Sequence, residues 1–396
     1  MRATLDGAGL TCEIQTGGVT GFPVYRCCLV DASGNPLAYS LGKGAGRQSM
    51  ASALYELWQH YQHEMGQRGL AARPDGVRVL PVTDVLAQPG LGGEAMLHRF
   101  VEDHPDARVA CLELVPVNGS GGSLWYPAFP RCPSLRWYPV PGDDVTYESY
   151  ARYAYDNGTA CGATEADAVL HGLLEVIERD AVSLALLDWY AADPPRAHAV
   201  PLHTLPESLR PLAALATDYL GVPPLLLDVT SDLGVPAFAA LPARATKYVG
   251  LLGSGASLDP TYAAERALTE LVQCWFTADL DVDATHADRL AALEPWPVLH
   301  RCAVLDPTGL AGAARPVRRD WSDAPRRTVD QQLAALVDLL AAHGFRPWTF
   351  RWNPADSHPV LTVVVPGLDS FAMVHNAVPV LPTGRAMRRL TDLAAA

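Results

Sequence analysis

The chain has 396 residues, 49% of them hydrophobic and only 18% charged, with a formal net charge of −13. Its apolar content is ample for a large core, and its acidic balance excludes a nucleic-acid or anionic-membrane surface, because both partners require a positive field. The N-terminus lacks the apolar core of a signal peptide, and no run approaches the roughly 18 apolar residues of a membrane span. The eight cysteines form no CxxC pair, which predicts reduced thiols in a cytoplasmic protein and leaves the sequons at Asn118 and Asn157 without meaning.

In chain order, "TGFPVYRCCLVD" (20–31) reads as a strand opened by Gly-x-Pro. It leads through a small-residue GxG loop into the Ala-rich helix of "SLGKGAGRQSMASALYELWQ" (40–59). The stretches 118–123, 126–142 and 193–211 are rich in Pro and Gly and read as connections. Between them, "NGTACGATEADAVLHGLLEVIERDA" (157–181) again runs from a Gly/Thr loop into an Ala-rich helix. The pattern returns a third time in "LGVPAFAALPAR" (233–244) followed by "LLGSGASLDPTYAAERALTELVQ" (251–273). A helix over 328–345, closed by Gly344, and a strand in "SHPVLTVVVPGL" (357–368) complete the outline. The expected fold is α/β in the broad, α+β sense. A single domain over 1–396 would carry internally repeated strand–loop–helix units near 18–65, 155–190 and 228–280.

Helix positions i, i+4 and i+7 share a face. The middle helix places His171, Glu175 and Glu178 there, with Asp167 one turn earlier; the first places Ser52, Glu56 and Gln59; the last places Arg266, Glu270 and Gln273. An ExxE pair on one helix is usually a solvated face. Here Leu173, Leu174, Val176 and Ile177 surround Glu175 and Glu178, so the helix is apolar nearly all round and predicted to be buried. Two buried like charges cost on the order of several kcal/mol each unless a cation meets them. An all-oxygen carboxylate set suits Mg²⁺, which shares its shell with phosphates and water. Glu56, Asp167, Glu175, Glu178 and Glu270 are therefore candidates to hold Mg²⁺, with Lys43, Arg179 and Arg266 on phosphate oxygens. No GxxxxGK[ST] loop is present, so an ATP site here is not of the P-loop kind. His60 and His63 lie one turn apart without a third zinc ligand, and Cys161 reads as a packed residue.

The middle block resembles the signature of the YcaO family, NG-x-A-x-G-x-T-x-x-E/D-A followed by GLLE-x-x-ERDA. "GKG" with "ASALYE", and "GSGASLDPTYAAERALTELVQ", are similar to its two other blocks, in the same order. The resemblance covers almost the whole chain. It implies a YcaO-type fold around a central nucleotide site, and ATP- and Mg²⁺-dependent activation of peptide backbone amides in a ribosomally made precursor peptide. The product would be an azoline formed from Cys, Ser or Thr; thioamides or amidines made by the same chemistry are the alternatives. Matched by motif, Ser52 and Glu56 fall at nucleotide and metal positions of the first block. Asp167, Glu175, Glu178 and Arg179 fall in the second, and Arg266 and Glu270 in the third. The implied Mg²⁺ ligands are Glu56, Glu175, Glu178 and Glu270, with Lys43, Arg179 and Arg266 toward phosphates and Glu178, Arg179 and Arg266 central to catalysis.

The chain departs from the family pattern where Gln59 and His60 replace a usual Glu-Arg pair, and where Ala163 replaces a usual Asn. It also ends without the proline-rich tail of many azoline-forming members. A scaffold that keeps the fold without turnover is the reading those departures leave beside catalysis. Because the first block begins by residue 42, leader-peptide binding is expected from a separate partner protein; a homodimer is also compatible with the resemblance.

Overall fold

The computed structural model describes every residue except 20–21, 45, 74, 281–283, 322–324, 355–356 and 396. The Thr20–Gly21 opening of the first expected strand and Ala45 of the GKGAG loop lie outside the described residues. Three sheets carry the fold. The first is a meander of Thr11–Val19, Phe22–Val30 and Pro36–Gly42. The second runs Gly253–Ala256, Ala237–Pro242, Pro224–Asp228, His198–Ala199 and Arg315–Pro316. The third runs Val77–Pro81, Arg108–Pro116, Trp348–Arg351, Val360–Val364 and Thr159–Cys161, with Leu124–Pro127 also paired to Arg108–Pro116. Among the described residues every pairing is antiparallel except that of Arg315–Pro316 with His198–Ala199, so the mixed helix-and-sheet architecture is not a wound parallel sheet.

Each sheet supports one long helix: Arg47–Arg68, Glu165–Tyr190 and Pro260–Leu280 pack on the strands Pro36–Gly42, Val360–Val364 and Gly253–Ala256 respectively. Small residues let these layers meet. A Cβ on Gly42 would lie 1.9 Å from the Ser49 carbonyl oxygen and 2.6 Å from the Ala53 Cβ. One on Gly255 would lie 2.3 Å from the Ala263 carbonyl oxygen. The GSG at 253–255, expected as a loop, is thus a buried strand, glycine-rich because the helix backbone lies against it. The strands Ala237–Pro242 and Val360–Val364 are buried along their whole length, which explains their unbroken apolar runs.

The expected helix over 328–345 spans Val329–Ala342. Thr328 and Gln331 form a capping box at its start, and Gly344 adopts a φ of 79° just past its end. No helix among the described residues is long and apolar enough to cross a membrane. All eight cysteines are free thiols.

Candidate functional site

The Glu165–Tyr190 helix is set by its N-terminus. Thr164 Oγ1 accepts from the Asp167 backbone N–H (3.1 Å), while the Asp167 carboxylate accepts from the Thr164 backbone N–H (3.0 Å) and hydroxyl (2.8 Å). This corrects the expectation for Asp167. It lies on the right face in sequence, but its carboxylate is committed to the cap and is absent from the cavity lining. From this start Leu173, Val176 and Ile177 are buried in a core shared with Leu361 and Val363, and the opposite stripe opens into a cavity of about 1040 Å³.

The three long helices converge on that cavity. Ser52, Glu56 and Gln59 line it from Arg47–Arg68; His171, Glu175, Glu178 and Arg179 from Glu165–Tyr190; Arg266, Glu270 and Gln273 from Pro260–Leu280. Lys43 reaches it from the loop after the first meander. Apart from Asp167, every expected site residue is therefore brought to one place.

The carboxylates are partnered unequally. Glu178 is 3% exposed and accepts from the Ser254 hydroxyl (2.6 Å) and the Ala256 N–H (3.1 Å). Glu270 accepts from the Ser254 N–H (2.9 Å) and pairs with Lys43 Nζ at 2.9 Å. Burial pushes Glu270 up, but the Lys43 and Arg179 charges outweigh it and hold the carboxyl at about 2. Burial pushes the Glu175 carboxyl up to about 8, outweighing Arg179, whose Nε lies 4.0 Å from its Oε1, and Lys43. Burial likewise raises Glu56, against the pull of His60 and Lys43. Arg179 Nε is buried without a hydrogen-bond partner. Its guanidinium stays charged because Glu175, Glu178, Glu270 and Asp156 outweigh its desolvation.

Among the described residues no three His, Cys, Asp or Glu side chains are gathered tightly enough to form a ready cation cage. The carboxylates that line the cavity are an all-oxygen set, the donor chemistry Mg²⁺ takes, with one or two carboxylates and the rest of its shell from phosphate and water. The set does not fit a structural zinc site. His60 and His63 diverge: His60 Nδ1 lies 2.6 Å from the Tyr39 carbonyl oxygen, with Nε2 near Glu56 (3.9 Å) and Asp156 (3.8 Å). His63 is packed against Trp352 and bonds the Arg131 carbonyl oxygen at 3.1 Å. Cys161 lines the cavity, and burial raises its thiol to about 12, away from the thiolate that nucleophilic or metal-ligand roles need.

Several lining residues carried no helical signal. Asp156 precedes the NGTACG turn, Lys247 belongs to a connecting segment and His375 follows the last strand of the third sheet. Ser254 was visible only as the middle of a GSG whose glycines have a packing role.

A sequence model of the YcaO cyclodehydratase family, described as ATP- and Mg²⁺-binding, matches residues 41–369. The chain belongs to the YcaO family. It is 26% identical over 393 residues to an uncharacterized protein of Methanothermobacter thermautotrophicus, covering 94% of this chain and 92% of that one. It is 29% identical over 227 residues to an uncharacterized protein in the tfuA 3′ region of Rhizobium leguminosarum bv. trifolii, covering 54% and 52%. Among solved structures it resembles YcaO from Methanopyrus kandleri bound with AMPPCP and Mg²⁺ (TM-score 0.64, 22% identity, 96% and 92% covered). It also resembles a heterocyclase in complex with substrate and cofactor (TM-score 0.63, 22% identity), covering 91% of this chain and spanning half the length of that one. At these identities the structural likeness establishes the fold.

Proposed function

We propose that the chain uses ATP and Mg²⁺ to activate peptide backbone amides, and that its reaction is cyclodehydration of Cys, Ser or Thr to azolines. The substrate would be a ribosomally made peptide presented by a separate leader-binding partner, with residues 1–396 acting as one unit. One observation carries this reading: Glu56, Glu175, Glu178 and Glu270 face a single cavity together with Lys43, Arg179 and Arg266, brought there by three helices and one loop. The protein does not neutralise these charges evenly. Arg179 Nε is buried without a hydrogen-bond partner, and burial pushes the Glu175 carboxyl up to about 8 although Arg179 lies 4.0 Å away. An anion beside Arg179 and a divalent cation beside Glu175 would remove both deficits. The structural neighbours named for a heterocyclase with substrate and cofactor, and for YcaO with AMPPCP and Mg²⁺, support the same reading.

Bound ATP supplies the phosphoryl group that turns a poor amide-oxygen leaving group into phosphate, with Mg²⁺ screening the phosphate charge. Lys43, Arg179 and Arg266 would hold the phosphate oxygens, and Glu56, Glu175, Glu178 and Glu270 the metal. Glu175 and Glu56 are the better-placed ligands, because Glu178 and Glu270 already accept hydrogen bonds from Ser254, Ala256 and Lys43. Ser52 and Gln59 add uncharged polar contacts to the same wall. The cavity lies at the large end of small-molecule sites, leaving room for a peptide segment beside a nucleotide.

Thioamide or amidine formation from an external nucleophile would use the same ATP chemistry and the same cavity. The Gly384–Ala395 helix docks on the side of the central helix facing away from the cavity, through Arg385–Asp180 and Arg389–Asp188. The test is phosphate release on mixing chain, Mg-ATP, precursor peptide and partner. Stoichiometric, peptide-dependent release is expected, and its absence would leave the scaffold reading. Product mass then separates loss of one water per ring from exchange of oxygen for sulfur.

A further inference from the structure

We propose that His375 accepts the proton of the attacking nucleophile in the amide-activation reaction. This inference rests on the function proposed above and assigns a role to a residue outside the 41–369 family match. His375 lies on the 3₁₀ segment Phe371–Asn376, lines the cavity and is 9% exposed. Its Nδ1 lies 2.6 Å from the Ala372 carbonyl oxygen, a contact that requires a proton on Nδ1. The ring is thereby held as the Nδ1–H tautomer, which leaves the lone pair on Nε2.

The mount is rigid and belongs to the central helix. Ser183 Oγ accepts from the Ala372 N–H at 2.7 Å and donates to the Arg179 carbonyl at 2.6 Å. Asp180 accepts from the Asp369 N–H (2.9 Å), and Asp369 from the Phe371 N–H (2.9 Å). The residue after the segment, Ala377, is buried with a φ of 56°, a left-handed conformation unfavourable for a residue with a Cβ. Strain of this kind persists where the surroundings over-determine the backbone.

The other candidate bases are less suitable. His60 Nε2 faces Glu56 and Asp156, and Glu175 is wanted by the cation. His171 is exposed and has no hydrogen bond fixing its tautomer. His375 is itself held down to about 4 by burial and by Arg179, with Glu270 and its Ala372 bond opposing. The cavity wall also includes Lys247 and His286. On the neighbouring Pro297–Val304 helix, Arg301 is turned to the Tyr190 carbonyl (2.9 Å), and His300 and the buried Cys302 are the other titratable groups. An anion placed against Arg179 offsets the largest charge opposing imidazolium. The base would thus strengthen when phosphate occupies the site.

In the step itself, a thiol or hydroxyl X–H adds to the amide carbon. The C–X bond forms, the X–H bond breaks with its proton passing to Nε2, and the carbonyl π pair moves to the amide oxygen. The imidazolium then releases its proton to solvent.

Two measurements test the role. In ligand-free protein, ¹⁵N NMR of the His375 ring should show a protonated Nδ1 and an unprotonated Nε2 at pH 7, and adding AMPPCP with Mg²⁺ should raise the pH at which Nε2 protonates. The opposite tautomer, or no upward shift, overturns the proposal whether or not turnover is detected. In turnover, His375→Gln should lower peptide-dependent phosphate release about 10²–10⁴-fold, with AMPPCP affinity and unfolding midpoint unchanged, and added imidazole should partly restore His375→Ala. Wild-type rates in His375→Gln, or activity lost only in step with stability, contradict it. Absence of release in the wild-type chain would instead count against the proposed function, with the NMR result standing apart.

Discussion

The two faces of the central helix carry the same residue types under opposite conditions. On the side away from the cavity, Asp180 is fully buried and accepts from Arg385 Nε at 3.0 and 3.1 Å; Asp188 accepts from Arg389 at 2.8 and 2.7 Å. On the cavity side, Glu175 and Arg179 approach only to 4.0 Å, and Arg179 Nε has no hydrogen-bond partner. Charges that hold the fold together are matched and close. Those facing the cavity are uneven: Lys43 and Glu270 pair at 2.9 Å, while Glu175 and Arg179 are left apart, open to a charged ligand.

Breaking the matched face should have the largest effect. Arg385→Ala leaves Asp180 buried without its cation and should cost about 3–5 kcal/mol of stability in a denaturant titration. Adding Asp180→Asn should recover part of that loss, a coupling a double-mutant cycle measures directly. On the open face, Glu178→Gln should reduce peptide-dependent phosphate release about 10²–10³-fold, or roughly 2.7–4 kcal/mol in barrier. The fold should survive, because an amide retains an acceptor for Ser254 or Ala256; normal turnover in this variant would remove Glu178 from the site.

The next effect is pH-dependent. The Glu175 carboxyl, raised to about 8 by burial, is protonated at neutral pH and must lose its proton to meet a cation. Apparent Mg²⁺ affinity should therefore rise with pH up to about 8 and level off above it, changing by at most about tenfold (~1.4 kcal/mol) per pH unit. Glu175→Gln should flatten the profile, and calorimetry in buffers of different ionisation enthalpy should show proton release on binding. The smallest effect belongs to Arg389→Ala, whose side chain is 39% exposed, so its loss should cost only about 0.2–1 kcal/mol.

The open face was legible in the sequence because a helix repeats its facing positions at fixed spacing. Glu175 with Glu178, Ser52 with Glu56 and Gln59, and Arg266 with Glu270 all announce themselves in this way. The same periodicity failed at Asp167, where a first-turn position offered both a place on the stripe and a place in the cap, and the backbone N–H groups of the helix start claimed the carboxylate. It had nothing to say about Asp156, Lys247 and His375, which reach the cavity from connections and a short 3₁₀ segment. The GSG of 253–255 misled for another reason. Glycine marks close backbone approach as readily as a loop, and spacing cannot tell the two apart. The Arg385–Asp180 and Arg389–Asp188 pairs join residues about 200 positions apart, and no local pattern couples them.

The most direct measurement is calorimetric titration of the chain with AMPPCP, with and without Mg²⁺. If the cavity's unmatched charges form a metal–nucleotide site, binding should require Mg²⁺ and weaken sharply in both Glu175→Gln and Arg179→Ala. Binding that ignores Mg²⁺, or is unchanged in those variants, would contradict it.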